Sequence, residues 1–173
     1  MRATITTRLT ALTLLAALLA SCTIVFEPLD DASARGMEAG RLGLIREFTP
    51  NRGIGSTYRV GDPISFRIRT VEDGYVTLTA IDPDGSVYVF ARNIPVSGGR
   101  VEVITGLSPR QRFVITPPTG LHRVSVHFTP TATSERVEFR GLFGYDAWQG
   151  QIRVELQPFP RGDVAETRFF VRR

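Results

Sequence analysis

The chain holds two histidines, His122 and His127, five positions apart in the apolar stretch "LHRVSVHF" (121–128). Imidazole is the side chain best suited to proton transfer near neutral pH and the commonest ligand of transition metals, so the pair raises the question of a metal centre. In an extended strand, residues an odd number apart point to opposite faces. The two imidazoles therefore converge only if a bulge intervenes or if His122 lies in the turn before the strand. "PPTGLHR" (117–123) admits the second arrangement, because Gly120 stands just ahead. Two imidazoles fall short of the three protein ligands of a catalytic zinc site. Asp146, Met37 or a partner protein would have to complete the set, and copper is the divalent metal such ligands favour most. The chemistry implied is copper-dependent redox work outside the cytoplasm, of the superoxide dismutase type. Copper–zinc dismutases carry several histidines in His-x-His spacing, which this chain lacks. The alternative reading is two ordinary strand histidines, facing solvent or hydrogen-bonded within the fold.

Other reactive patterns are sparse. No Gly-x-Ser-x-Gly elbow accompanies the histidines, and the Glu72–Asp73 pair falls at a turn, where solvated acids are expected. "DPDG" (82–85) starts like a calcium loop but continues into Ser86 and Val87 instead of further acids, so it reads as a hairpin turn. "RGD" (161–163) lies in a Pro/Gly segment predicted to be exposed, and a three-residue match in an arginine-rich chain carries no weight for adhesion. "GYDAWQG" (144–150) places Tyr145 and Trp148 in a glycine-flanked loop. Loop aromatics are typical interface anchors, and the competing reading is that Trp148 covers the core.

Cys22 is the sole cysteine of the 173-residue chain. It ends "LASC" (19–22), which follows a segment with Arg2, Arg8 and no acid and then the apolar "ALTLLAALLA" (11–20). Charged start, short apolar run and small residues before a cut site are the parts of a secretory signal. The run is shorter than the ~20 residues of a membrane span. "LASC" resembles a bacterial lipobox, in which cleavage precedes the cysteine and its thiol is acylated. Thr23 is not the aspartate that retains such lipoproteins at an inner membrane, so the resemblance implies the outer membrane. Acyl chains anchor firmly, each buried CH₂ contributing about 0.8 kcal/mol. With Cys22 acylated, disulfides, zinc–cysteine sites and thiol nucleophiles are excluded.

All 21 basic residues are arginine, which excludes Schiff-base and P-loop lysines. From Cys22 onward 19 arginines face 17 acids, interspersed along the chain. A nucleic-acid binder concentrates its positive charge in a patch or stripe, so no nucleic-acid partner is expected.

The elements that must hold these residues read as strands. Residues 1–21 are expected to be a signal peptide, 22–40 a flexible tether and 41–173 one domain, a length sufficient for a real core. "PISFRIRTV" (63–71) alternates Ile64, Phe66 and Ile68 with polar residues, the period of a half-buried strand. "GYVTLTAI" (74–81), the turn "DPDG" and "SVYVFA" (86–91) form a hairpin. Further strands are predicted at 42–48, 100–104, 112–116, 122–128, 136–141, 151–157 and 166–172, and no helix after the signal. About nine short strands at this spacing predict an all-β fold, an antiparallel β-sandwich.

"YRVGDPISFRIRTVEDGYVTLTAIDPDGSVYVFARN" (58–93) and "TPPTGLHRVSVHFT" (116–129) resemble the family known as domain of unknown function 4384. Its pattern is Val-Gly-Asp before a strand, Gly-Tyr-Val, an apolar run, Asp-x-x-Gly, and a strand ending near Asn. The resemblance covers 58 to about 130 and takes in the C-terminal "ETRFFVRR" (166–173). It implies a β-sandwich interaction module of secreted and envelope proteins, and supplies no catalytic residues. The leading expectation is a non-enzymatic envelope lipoprotein, held to the membrane by Cys22, that binds a larger outer-membrane or surface-layer assembly through sheet edges and the Tyr145–Trp148 loop. The rival is a copper-dependent redox protein using His122 and His127.

Overall fold

The computed structural model describes residues 42–108 and 110–173. The signal segment, Cys22, Met37 and the tether lie outside the described residues. Within them the chain forms β1 (Ile45–Pro50), β2 (Thr57–Arg59), β3 (Pro63–Ile64), β4 (Phe66–Thr70), β5 (Gly74–Ile81), β6 (Val87–Val96), β7 (Val101–Ile104), β8 (Phe113–Val114), β9 (Gly120–Thr129), the helix α1 (Tyr145–Leu156) and β10 (Asp163–Arg172). These form a three-stranded sheet β1-β4-β7, a five-stranded sheet β2-β10-β9-β5-β6 and the pair β3-β8. All pairings are antiparallel except β2 with β10, so the fold is the β-sandwich that the alternation predicts.

Alternation decides which side chains enter the core. In β4, Phe66, Ile68 and Thr70 are buried while Arg67 and Arg69 face out, on the two-residue period of a strand. Opposite them the five-stranded sheet contributes Val76, Leu78 and Ala80 from β5 and Val124, Val126 and Phe128 from β9, all in one apolar cluster with Ile45, Phe48 and Ile68. The register pairs Val76 with Phe128, Leu78 with Val126 and Ala80 with Val124, so this face is apolar from rung to rung.

The five-stranded sheet is buried on its other face as well, and this was not legible in the sequence. Residues 145–156 form α1 where a glycine-flanked loop and a strand at 151–157 were predicted, and 136–141 contains no strand. Ile152, Val154 and Leu156 alternate as a strand would, but Trp148, Ile152 and Glu155 also recur at helical spacing, and those three are the buried residues of the helix. Burial against the sheet selects the helical period. Gly144 starts the helix with φ 89°, a conformation that favours glycine. Asp146 in the first turn and Arg153 in the last suit the helix dipole, and Pro158 prevents continuation.

Beneath α1, Trp148 and Ile152 join Ile81, Val87 and Phe139 in a second, smaller apolar cluster. The chain enters the sandwich at Leu42–Ile45, where the backbone N–H groups of Leu42, Leu44 and Ile45 donate to the Asp163 carboxylate at 2.9, 2.8 and 3.1 Å. Asp163 is the acid of "RGD" and is only 1% exposed. The predicted exposure of that motif holds for Arg161 and is corrected for Asp163, whose carboxylate is occupied in holding the Leu42–Ile45 backbone.

Candidate functional site

His122 and His127 both lie on β9, and their odd spacing puts them on opposite faces. His122 shares the sandwich face with Val124 and stacks on Phe169 at 5.4 Å with the rings 5° from parallel. Its Nδ1 lies 2.9 Å from the Asp82 carboxylate and its Nε2 2.8 Å from the Pro118 carbonyl, so both nitrogens face acceptors and neither is open to a metal. His127 faces α1. Its Nδ1 lies 2.9 Å from Glu155 Oε2 and its Nε2 3.3 Å from Thr79 Oγ1.

The two imidazoles therefore do not share a centre, and β9 runs through Gly120–Thr129 with no bulge against β10 to bring them together. Asp146, the third ligand proposed from sequence, is exposed on the first turn of α1. The carboxylates that meet the imidazoles are Asp82 and Glu155. Among the described residues, no group of three or more His, Cys, Asp or Glu side chains is arranged to hold a metal ion.

The His127 surroundings form a continuous polar chain between sheet and helix. The Trp148 indole N–H donates to Thr79 Oγ1 at 2.9 Å. With hydrogen on Nδ1 of His127, Nδ1–H donates to Glu155, and Thr79 Oγ1 stands opposite at Nε2. Arg92 donates to the other oxygen of Glu155, to Thr133 Oγ1 at 3.0 Å and to the Val137 carbonyl at 3.0 Å. Burial pushes the Glu155 carboxyl up, but the hydrogen bonds and charges of His127 and Arg92 outweigh it and hold it below the ordinary carboxylate value. Thr79, His127 and Glu155 follow the hydroxyl–imidazole–carboxylate order of a nucleophilic triad. Thr79 and His127 are both 0% exposed and the Thr79 oxygen is engaged by Trp148, so this is a structural network that substrate does not reach.

Of the two readings of Trp148, loop anchor or cover of the core, the structure takes the second: it is 0% exposed, on a helix and not in a loop. Tyr145 remains accessible at the start of α1, with its hydroxyl 2.9 Å from Glu166 Oε2, the Arg123 guanidinium 5.5 Å from its ring centre and Trp148 edge-on at 5.8 Å. The aromatic that sequence reasoning missed is Phe143, 71% exposed. It is bridged to Ser86, and the Gly144 N–H donates to the Gly85 carbonyl at 2.9 Å. A Cβ on Gly85 would lie 2.8 Å from the Phe143 ring, so glycine in the hairpin turn seats that ring as well as taking φ 89°. The signal was "LFGY" (142–145), where Phe143 stands one glycine away from Tyr145.

The His122 face opens into a cavity of about 400 Å³ at the end of the sandwich, beside the β3–β8 pair. Its walls are Phe66, Phe90, Phe113, Ile64 and Ile115, with His122 beneath and Arg112 among the lining residues. Phe90 and Phe113 meet edge to face at 5.1 Å and 86°. The Tyr88 hydroxyl, 3.0 Å from Asp82 Oδ1, completes the Tyr88–Asp82–His122 chain alongside.

Residues 57–132 match the family described as domain of unknown function 4384 (DUF4384), as the motifs at 58–93 and 116–129 anticipate. The matched span contains β2 to β9 and every cavity-lining residue except Phe169, while α1 and β10 lie beyond it. No curated protein and no solved structure matches the chain.

Proposed function

We propose that this chain, built around a DUF4384 domain, is a cell-envelope lipoprotein that serves as an interaction subunit of a larger outer-membrane or surface-layer assembly. Signal cleavage before Cys22 and acylation of its thiol tether the sandwich to the membrane. The observation that carries the binding role is Phe143: a large aromatic, mostly exposed, yet pinned to the Gly85–Ser86 turn. A rigid aromatic loses little conformational freedom on association and buries a large apolar area, which is why such residues dominate interface energetics. With Tyr145 beside it in sequence, Phe143 takes the place of the anchor expected at Trp148.

Two measurements test the reading. Metabolic labelling with a palmitate analogue in a bacterial host is expected to mark the wild type, in the outer-membrane fraction, and to miss Cys22→Ala. An unlabelled or soluble wild type overturns the lipoprotein assignment. Crosslinking in intact envelopes, followed by purification, is expected to recover a discrete protein partner with the wild type and at least several-fold less with Phe143→Ala. Equal recovery removes Phe143 from the interface. The copper reading draws no support from the separated imidazoles.

A further inference from the structure

The cavity on the His122 face is assigned no role by the interaction reading. Its polarity is arranged unevenly. The interior is aromatic and aliphatic; of the polar groups that border it, His122 is committed to Asp82 and Pro118 and Tyr88 to Asp82, while Thr116 adds one exposed hydroxyl. Arg112 differs. It is exposed, lines the same cavity, and forms no hydrogen bond or ion pair among the described residues.

An apolar chamber with one uncommitted guanidinium selects its ligand by elimination. A cation meets Arg112 with like charge. A neutral polar molecule finds the Thr116 hydroxyl and otherwise mostly apolar walls, and would lose most of its hydrogen bonds to water without replacement. A carboxylate with an apolar body satisfies both parts, because guanidinium and carboxylate pair in a planar, two-bond geometry. The body is best an aromatic ring: Phe66, Phe90 and Phe113 already meet at tilted and edge-to-face angles, with centroids 5.1 to 6.5 Å apart, and a further ring extends that arrangement. A volume of about 400 Å³ falls within the range of small-ligand sites.

We infer that this cavity is a binding site for an aryl carboxylate, its ring among Phe66, Phe90 and Phe113 and its carboxylate on Arg112. The inference does not depend on the lipid anchor or on Phe143. The same chemistry is offered by a free aromatic acid and by a polypeptide ending in an aromatic residue.

The test follows the methyl resonances of Ile64 and Ile115, which line the cavity, in the full-length protein held in detergent. The Trp148 indole signal, beneath α1, serves as an off-site control. Titration with 3-phenylpropionate is expected to shift the two methyl signals saturably and leave the indole unmoved. Arg112→Gln is expected to weaken binding roughly tenfold or more, the value of a charge-assisted contact, and 3-phenylpropanol to bind correspondingly worse than the acid. Because Arg112 is exposed and unpartnered, the variant keeps the fold. A Gly-Gly-Gly-Phe peptide with a free terminus separates the sources: tighter binding than the acid points to a partner's C-terminus, weaker binding to a free acid. Absence of saturable methyl shifts with the acid, or equal affinity in Arg112→Gln, overturns the assignment.

Discussion

The two faces of the five-stranded sheet are both buried, and they are built from opposite materials. Toward the three-stranded sheet the rungs are Val76–Phe128, Leu78–Val126 and Ala80–Val124. Toward α1 the next rungs are Thr77–His127 and Thr79–Ser125, all buried, met by Trp148 and Glu155. The apolar face is held by area removed from water, a non-directional force that many side-chain shapes satisfy. The polar face is held by a chain of directed hydrogen bonds that runs from Trp148 through Thr79, His127 and Glu155 to Arg92. In a low-dielectric setting such a chain is costly to leave incomplete. The comparison teaches that α1 is seated by specific bonds together with the Ile81–Val87–Phe139–Trp148–Ile152 cluster, around which Val89, Val137, Leu142, Leu156 and Val164 also pack.

The largest expected effect comes from taking out the acid at the centre of the polar face. Glu155→Ala leaves Arg92 without its partner carboxylate and His127 without its Nδ1 acceptor, and is expected to lower unfolding free energy by roughly 3–5 kcal/mol. Urea denaturation measures this; a loss below about 1 kcal/mol would break the comparison. Next is Thr79→Val, nearly isosteric, which strands the Trp148 indole N–H in a fully buried site. It is expected to cost about 1–3 kcal/mol, and a blue-shifted or unaltered Trp148 emission distinguishes a lost bond from a displaced helix.

Acid provides a third probe. Because the folded-state Glu155 carboxyl is held below the ordinary 4.5, its contribution is fully present above the unfolded carboxylate range. It is lost as pH falls through the folded value. Unfolding free energy should therefore drop more between about pH 6 and pH 3 in the wild type than in Glu155→Gln. Parallel pH curves would show that other acids carry the dependence. The smallest effect belongs to the apolar face: Leu78→Met conserves volume and is expected to cost less than about 1.5 kcal/mol. If thermal melts place it below Thr79→Val in stability, the two faces do not differ as argued.

Much of the sandwich was legible residue by residue. Phe66 and Ile68 against Arg67 and Arg69 announced β4, and "DPDG" announced the β5–β6 turn, because strand period and turn chemistry are local. Residues 151–157 were not legible, since Ile152, Val154 and Leu156 fit a strand while Trp148, Ile152 and Glu155 fit a helix. Nothing within the segment chooses between those periods.

What the amino-acid order determined by itself is the parity of β9: in an unbroken strand an odd separation sends His122 and His127 to opposite faces, and the regular pairing with β10 keeps that strand unbroken. What only the tertiary structure decided is each imidazole's company. Asp82 reaches His122 from the β5–β6 turn and Glu155 reaches His127 from α1. Those meetings depend on strand order and helix packing, and contacts between residues distant in the chain are set by the burial of whole faces.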